Sequence, residues 1–118
     1  MAKKFLFVYR DSTSAPNQGM PSPDQMQELM ARWGAWIEKF MKAGQMVDPG
    51  DALHATGKVL RAKGVVTDGP FVEAKELLGG YSVIQCDTYE QALAIAKECP
   101  AHHDGSSIEI RELAGLAG

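Results

Sequence analysis

Cysteine is scarce in this chain and carries no pattern. Its 118 residues hold two, Cys86 and Cys99, with neither a CxxC spacing nor a disulfide framework, which removes a stapled scaffold from the candidate folds. Both read as reduced cytoplasmic thiols that act as small buried hydrophobes. A basic surplus is missing too. The formal charge of -3 and a pI near 5.5, with Lys and Arg scattered, leave no broad electrostatic reason to bind nucleic acid. Long apolar runs are likewise lacking: the opening "MAKKFLFVYR" is interrupted by Arg10 and Asp11, with no small-residue cleavage pattern after it. Neither a signal peptide nor a membrane span is expected. No glycine pattern cradles a phosphate, and Ser12, Thr13 and Ser14 stand in no nucleophile setting.

What is present is an ordinary soluble composition, 45% hydrophobic and 23% charged, expected to form one cytoplasmic domain over residues 1–118. Residues 3 to 10 predict a strand apolar on both faces, with Phe5, Phe7 and Tyr9 on one side and Leu6 and Val8 on the other. After the loop-like "DSTSAPNQGMPSP", Ser22 suits an N-cap, Pro23 the first helical position and Asp24 the positive end of the dipole. Met26, Leu29, Met30, Trp33, Ile37, Phe40 and Met41 then recur at spacings of three and four, the stripe of a helix ending near Ala43-Gly44. Trp36 falls at the edge of that stripe. Methionine and tryptophan at helical spacing indicate core rather than a cofactor box.

Beyond the helix, Asp48-Pro49-Gly50-Asp51 reads as a turn. Val59-Leu60 and Val65-Val66 flank a reversal at Ala62-Lys63-Gly64, which is a hairpin. "GGYSVIQCD" predicts a second strand apolar on both sides, Tyr81, Val83 and Gln85 against Ser82, Ile84 and Cys86. Asp87 or Thr88 caps a second helix with Tyr89, Ala92, Leu93 and Ala96 inward, Pro100 ends it, and "SSIEIREL" is a half-exposed last strand. The order is strand, helix, hairpin, strand, helix, strand. That is an α+β layer of the ferredoxin-like kind, with two helices on one face of an antiparallel sheet and an added hairpin. Two helices cover one face only, so the apolar second face needs a partner, and a homodimer packed sheet on sheet is expected. Register decides whether Phe5, Phe7 and Tyr9 or the opposite set meet that partner.

The run "VVTDGPFVEAKELLGGYSVIQCDTYEQALAIAKECP", closed by "SSIEIREL", resembles the YCII-related family, in its Asp-Gly-Pro-Phe branch. "KFLFVYRD", "SPDQM" and the final Glu-Ile-Arg fit as well, so the resemblance covers nearly the whole chain. It implies a dimeric α/β barrel of ferredoxin-like subunits, in agreement with the argument from faces. Relatives named YciI carry a His on the first helix, proposed to pair with an Asp in acid-base chemistry, and one related enzyme eliminates chloride from a chlorinated acid. The corresponding position here, after "SPD", is Gln25, which shuttles no proton at neutral pH.

Asp68 is the first site candidate, because the following Gly69 and Pro70 fix a corner that aims its carboxylate, while Phe71 anchors it. The alternative is an Asx turn in which that carboxylate accepts its own downstream N–H groups. Glu73, Lys75 and Glu76 are either a solvated charge run or a cleft wall, where Lys75 would bind a carboxylate and Glu73 or Asp68 take a proton. His54, His102 and His103 have ordinary pKa values near neutrality; no metal site is expected at their spacing, nor any cofactor. Arg10 ends the first strand as a candidate anion clamp, and Tyr81 joins it as a substrate contact.

Two functions follow. One is cofactor-free acid-base catalysis, an elimination or isomerisation of a small organic acid, by Asp68 with His54 or His102 and with Arg10, Glu73, Lys75 and Tyr81 at the substrate. The other is a non-catalytic small-ligand-binding or regulatory module, which the resemblance links to sigma factors of the extracytoplasmic-function type. A structural dimer without ligand is a third reading.

Overall fold

A computed structural model of the chain describes residues 2–12, 22–54, 56–69, 76–103 and 106–116. Strands β1 (Lys3–Ser12), β2 (Met46–Ala52), β5 (Glu76–Cys86) and β6 (Ser107–Glu112) form one antiparallel sheet in the order β2-β5-β1-β6. Strands β3 (Gly57–Leu60) and β4 (Val66–Gly69) form a separate hairpin around a short 3-10 turn at Ala62–Gly64. Helices α1 (Pro23–Lys42) and α2 (Tyr89–Lys97), with the short α3 (Pro100–His103), cover one face of the sheet. The expected ferredoxin-like α+β architecture, with its extra hairpin, is what the chain adopts.

Local sequence explains the ends of α1. Ser22 Oγ accepts from the Gln25 N–H, and the Gln25 side chain accepts from the Ser22 N–H, a reciprocal cap that satisfies two orphan donors. Gln25, at the position where the resemblance implied a catalytic histidine, is therefore a capping residue. Past Ala43 the chain leaves the helix through Gly44 at φ 74°, where glycine escapes the Cβ penalty. In α2 the cap is Thr88, which accepts from the Gln91 N–H.

The register resolves the question of faces. Phe5, Phe7 and Tyr9 lie under the helices with Ser82, Ile84 and Cys86, and meet Trp36, Phe40, Ile95, Ala96 and Cys99. Burial of each large side chain contributes roughly 1.5–3 kcal/mol. The Trp36 indole N–H donates to the Ile95 carbonyl at 3.1 Å, tying α1 to α2. Leu6, Val8, Tyr81 and Val83 stand on the other face, where no helix of the described residues packs.

Three expectations need correction. Trp36, placed at the margin of the apolar stripe, is buried at its centre, whereas Met26, Met30 and Met41 are exposed: the stripe is wider than the contact, and α1 rolls its aromatic side onto the sheet. Asp48-Pro49-Gly50-Asp51 does not reverse the chain. It is a bulged part of β2, where the Asp48 carboxylate accepts from the Gly50 N–H at 2.8 Å and the pairing with β5 shifts register. In α2, Tyr89 and Leu93 are exposed and Ile95 takes the inward place beside the small side chains of Ala92 and Ala96. Pro100 follows the end of α2 as expected and also opens the turn of α3, to which the backbone of His102 and His103 belongs.

Candidate functional site

The sheet and α1 do not close completely on each other. Between the middle of α1, the bulge of β2 and the Gly79–Tyr81 segment of β5 lies a cleft of about 520 Å³. Its walls are mainly apolar: Leu29, Met30, Trp33 and Ile37 descend from α1, and Tyr9 lies at the base. The Tyr9 and Trp33 rings meet edge to face with centroids 5.2 Å apart, a preferred geometry for aromatic pairs. Ala101 and Ser106 also line the cleft, and Asp51 brings a carboxylate to it.

Two glycines make this shape possible. Gly50 sits at φ 70°, and a Cβ there would fall 1.8 Å from the Tyr81 carbonyl oxygen. At Gly80 a Cβ would come within 2.8 Å of the Asp51 carbonyl oxygen. Only a bare backbone lets β2 and β5 approach this closely at the bulge.

Beneath the apolar surface runs a short polar chain. The Tyr9 hydroxyl donates to Ser82 Oγ at 2.8 Å, and the Ser82 hydroxyl donates to the Pro49 carbonyl at 2.7 Å. The phenol at the base of the cleft is thereby tied to the bulge that forms its wall. Burial, reinforced by Cys99, pushes the Tyr9 phenol far above its ordinary range, and the hydrogen bond with Ser82 offsets only part of that. Tyr9 is a neutral phenol and not a proton acceptor. The Asp51 carboxylate accepts from the Ala52 N–H at 2.8 Å and is otherwise exposed. This site has an aromatic base, aliphatic walls and one acidic group at its mouth, the pattern of a pocket for a small organic molecule.

The family comparison agrees with the fold just described: the model of the YCII-related domain matches residues 5–114. The chain belongs to the YCII-related family. This YCII-related protein is also similar to the uncharacterized protein R00369 of Rhizobium meliloti (strain 1021), with 31% identity over 98 residues, covering 79% of each chain.

Of the residues singled out in the sequence, Tyr81 lines the cleft of this YCII-related protein, and the described Asp68, His54 and Arg10 stand away from its lining. Asp68 projects from β4, its side chain 88% exposed, and pairs with Lys58 Nζ across the hairpin at 2.5 Å. No described histidine pairs with it, and the residues downstream of Gly69 that the Asx-turn alternative concerns lie outside the described ones. His54 is exposed in the segment entering the hairpin. Arg10 lies on the helix-free face, where its Nε donates to Glu109 Oε1 at 3.0 Å. With Arg111 on the other carboxylate oxygen, this holds the Glu109 carboxyl below the usual glutamate range. Tyr81 stands beside Val8 on that same face, and part of it also reaches the cleft rim.

Glu73 and Lys75, with the Pro70 and Phe71 of the motif, lie outside the described residues. The His102 side chain does as well, although its neighbour Ala101 lines the cleft. Among the described residues no group of three His, Cys, Asp or Glu side chains could hold a metal ion, and no helix is long and apolar enough to cross a membrane. Sequence reasoning missed Tyr9 as a cleft residue by leaving it to either the core or the subunit boundary, Trp33 by assigning it to the core, and Asp51 by assigning it to a turn. The available signal was Gly79-Gly80 within a strand pattern, which marks a close backbone approach beside a potential site.

Proposed function

We propose that this YCII-related protein is a non-catalytic module that binds a small, largely apolar organic molecule in the cleft over Tyr9 and Trp33, and that it does so as a homodimer. The cleft itself carries the reading: about 520 Å³ of mainly apolar space is the size and character of a small-molecule pocket. Acid-base catalysis by Asp68 with His54 or His102 has weaker support. Asp68 is engaged by Lys58 on the hairpin, and the phenol at the cleft base is held neutral. An organic acid would also meet no cationic side chain in the described lining of this cleft.

The dimer reading draws on the helix-free face. Leu6 stands opposite Val83 and Val8 opposite Tyr81, with Arg10, Glu109 and Arg111 alongside. An apolar centre with a charged border is the composition of an interface. Light scattering of the purified chain should give twice the chain mass, and Val83→Arg should halve it.

For the ligand, the test is a thermal-shift panel of neutral, acidic and basic small molecules against the wild type and Trp33→Ala. The proposal expects neutral apolar compounds to raise the melting temperature of the wild type and to lose that effect in the variant. An effect from acids alone, retained in Trp33→Ala and lost in Asp68→Asn, would return the site to the motif loop.

A further inference from the structure

The hairpin of β3 and β4 is an arm without a body. Among the described residues its strands pair with each other and neither joins the main sheet. No other described element packs closely on them, and a lone two-stranded hairpin is marginal in water. The arm nevertheless exposes Leu60, Val65 and Val66, at 72%, 54% and 58% of their full areas. Leu60 and Val66 are cross-strand partners, as are Lys58 and Asp68, so one face of the arm presents an apolar pair next to a charged one.

Charge adds direction. The arm carries Lys58, Arg61 and Lys63 against Asp68 alone, a net positive element in a chain whose formal charge is -3. The cleft mouth has the opposite character. Asp51 lies on its rim with the exposed Met30, and just outside the lining Asp48, at the start of the bulge, and Leu53, past the end of β2, are exposed as well. Positive arm and acidic mouth are complementary in sign, and each has apolar surface to cover.

We infer that the β3-β4 arm of one copy closes over the cleft of a second copy, laying Leu60 and Val66 on its apolar mouth and bringing the arm's cations to Asp48 and Asp51. The site is then shared: each ligand cleft is completed by residues of the other chain. This rests on the homodimer reading above. It adds that the exchanged arm, and not the helix-free face alone, determines access to the ligand.

The arm's position is read by cross-linking. Full-length Leu60→Cys protein is mixed with a size-tagged Met30→Cys protein, allowed to exchange subunits and treated with a short bis-maleimide. The native Cys86 and Cys99 are buried, and wild type serves as the blank. A hybrid-size adduct is expected, and it should be lost when Met41→Cys, exposed on α1 but absent from the cleft lining, replaces Met30→Cys. A second arm of the experiment reverses charge: Lys63→Glu should raise the dimer dissociation constant by roughly fivefold, the upper range for one exposed ion pair, and Asp51→Lys in the same chain should recover it. A dimer by light scattering that gives equal adducts with Met30→Cys and Met41→Cys overturns the arm placement while leaving the dimer intact. A monomer by light scattering overturns both.

Discussion

Replacing Ser82 by alanine removes the central link of the chain that joins the cleft base to the β2 bulge. Ser82 is fully buried, accepts from the Tyr9 hydroxyl at 2.8 Å and donates to the Pro49 carbonyl at 2.7 Å. Without it, the buried Tyr9 donor loses its acceptor, which costs about 1–3 kcal/mol, and the bond to Pro49 adds about 1 kcal/mol. The expected loss is therefore about 2–4 kcal/mol. Tyr9→Phe removes the donor instead of orphaning it and leaves Ser82 bonded to Pro49, so its cost should be near 1 kcal/mol. At about 2.1 cal/mol/K of unfolding entropy per residue, a chain of 118 residues loses roughly 4 °C per kcal/mol. Ser82→Ala should then melt about 8–16 °C below wild type, and Tyr9→Phe about 4 °C below it. The double variant should be less destabilised than the sum of the two, because the orphaned phenol is gone. Urea unfolding followed by circular dichroism measures all three. Equal losses in the two single variants, or strict additivity in the double, would refute the reasoning about this chain.

Three further outcomes are expected. The folded state holds the Tyr9 proton more tightly than the unfolded chain does, so the associated stability is intact below the free phenol value near 10 and falls as pH rises above it toward the folded value. Tyr9→Phe should flatten this alkaline limb in urea titrations, and an unchanged slope would contradict the burial of the phenol. Gly50→Ala places a Cβ 1.8 Å from the Tyr81 carbonyl oxygen at positive φ and should cost more than about 2 kcal/mol; near wild-type unfolding would mean that the bulge relaxes freely. In an NMR titration, Arg10→Ala should move the Glu109 carboxyl up toward its ordinary value, since Arg10 is the main cause of its depression.

Much of the fold was legible because its signals are local and mutually consistent. Ser22 and Pro23 start α1, Gly44 ends it, and Phe5, Phe7 and Tyr9 alternate against Leu6 and Val8 as strand geometry requires. The choice between the two faces was not legible, because it depends on which strand residue lies opposite which. That is set by the pairing of Phe5 with Ile84 and Val8 with Tyr81, a long-range property. The roll of α1 escaped for the same reason: Trp36 and Met30 are both apolar, and only packing ranks them. Asp48-Pro49-Gly50-Asp51 has the composition of a turn, and the Asp48 to Gly50 bond is turn-like, yet neighbouring β5 keeps the segment in the sheet. The cleft was the least legible feature. It is made by residues from α1, β1, β2 and β5 together, whereas the sequence drew attention to a contiguous charged motif.

The central claim is that the space over Tyr9 and Trp33 is a ligand site, and methyl-detected NMR of the full chain against a library of small neutral fragments tests it most directly. The account predicts fragments that shift the Leu29, Met30 and Ile37 methyl signals and the Trp33 indole together, since these four side chains line one wall of the cleft. Fragments that move only Leu6, Val8 and Val83 on the helix-free face, with the four cleft signals unmoved across the library, would contradict it.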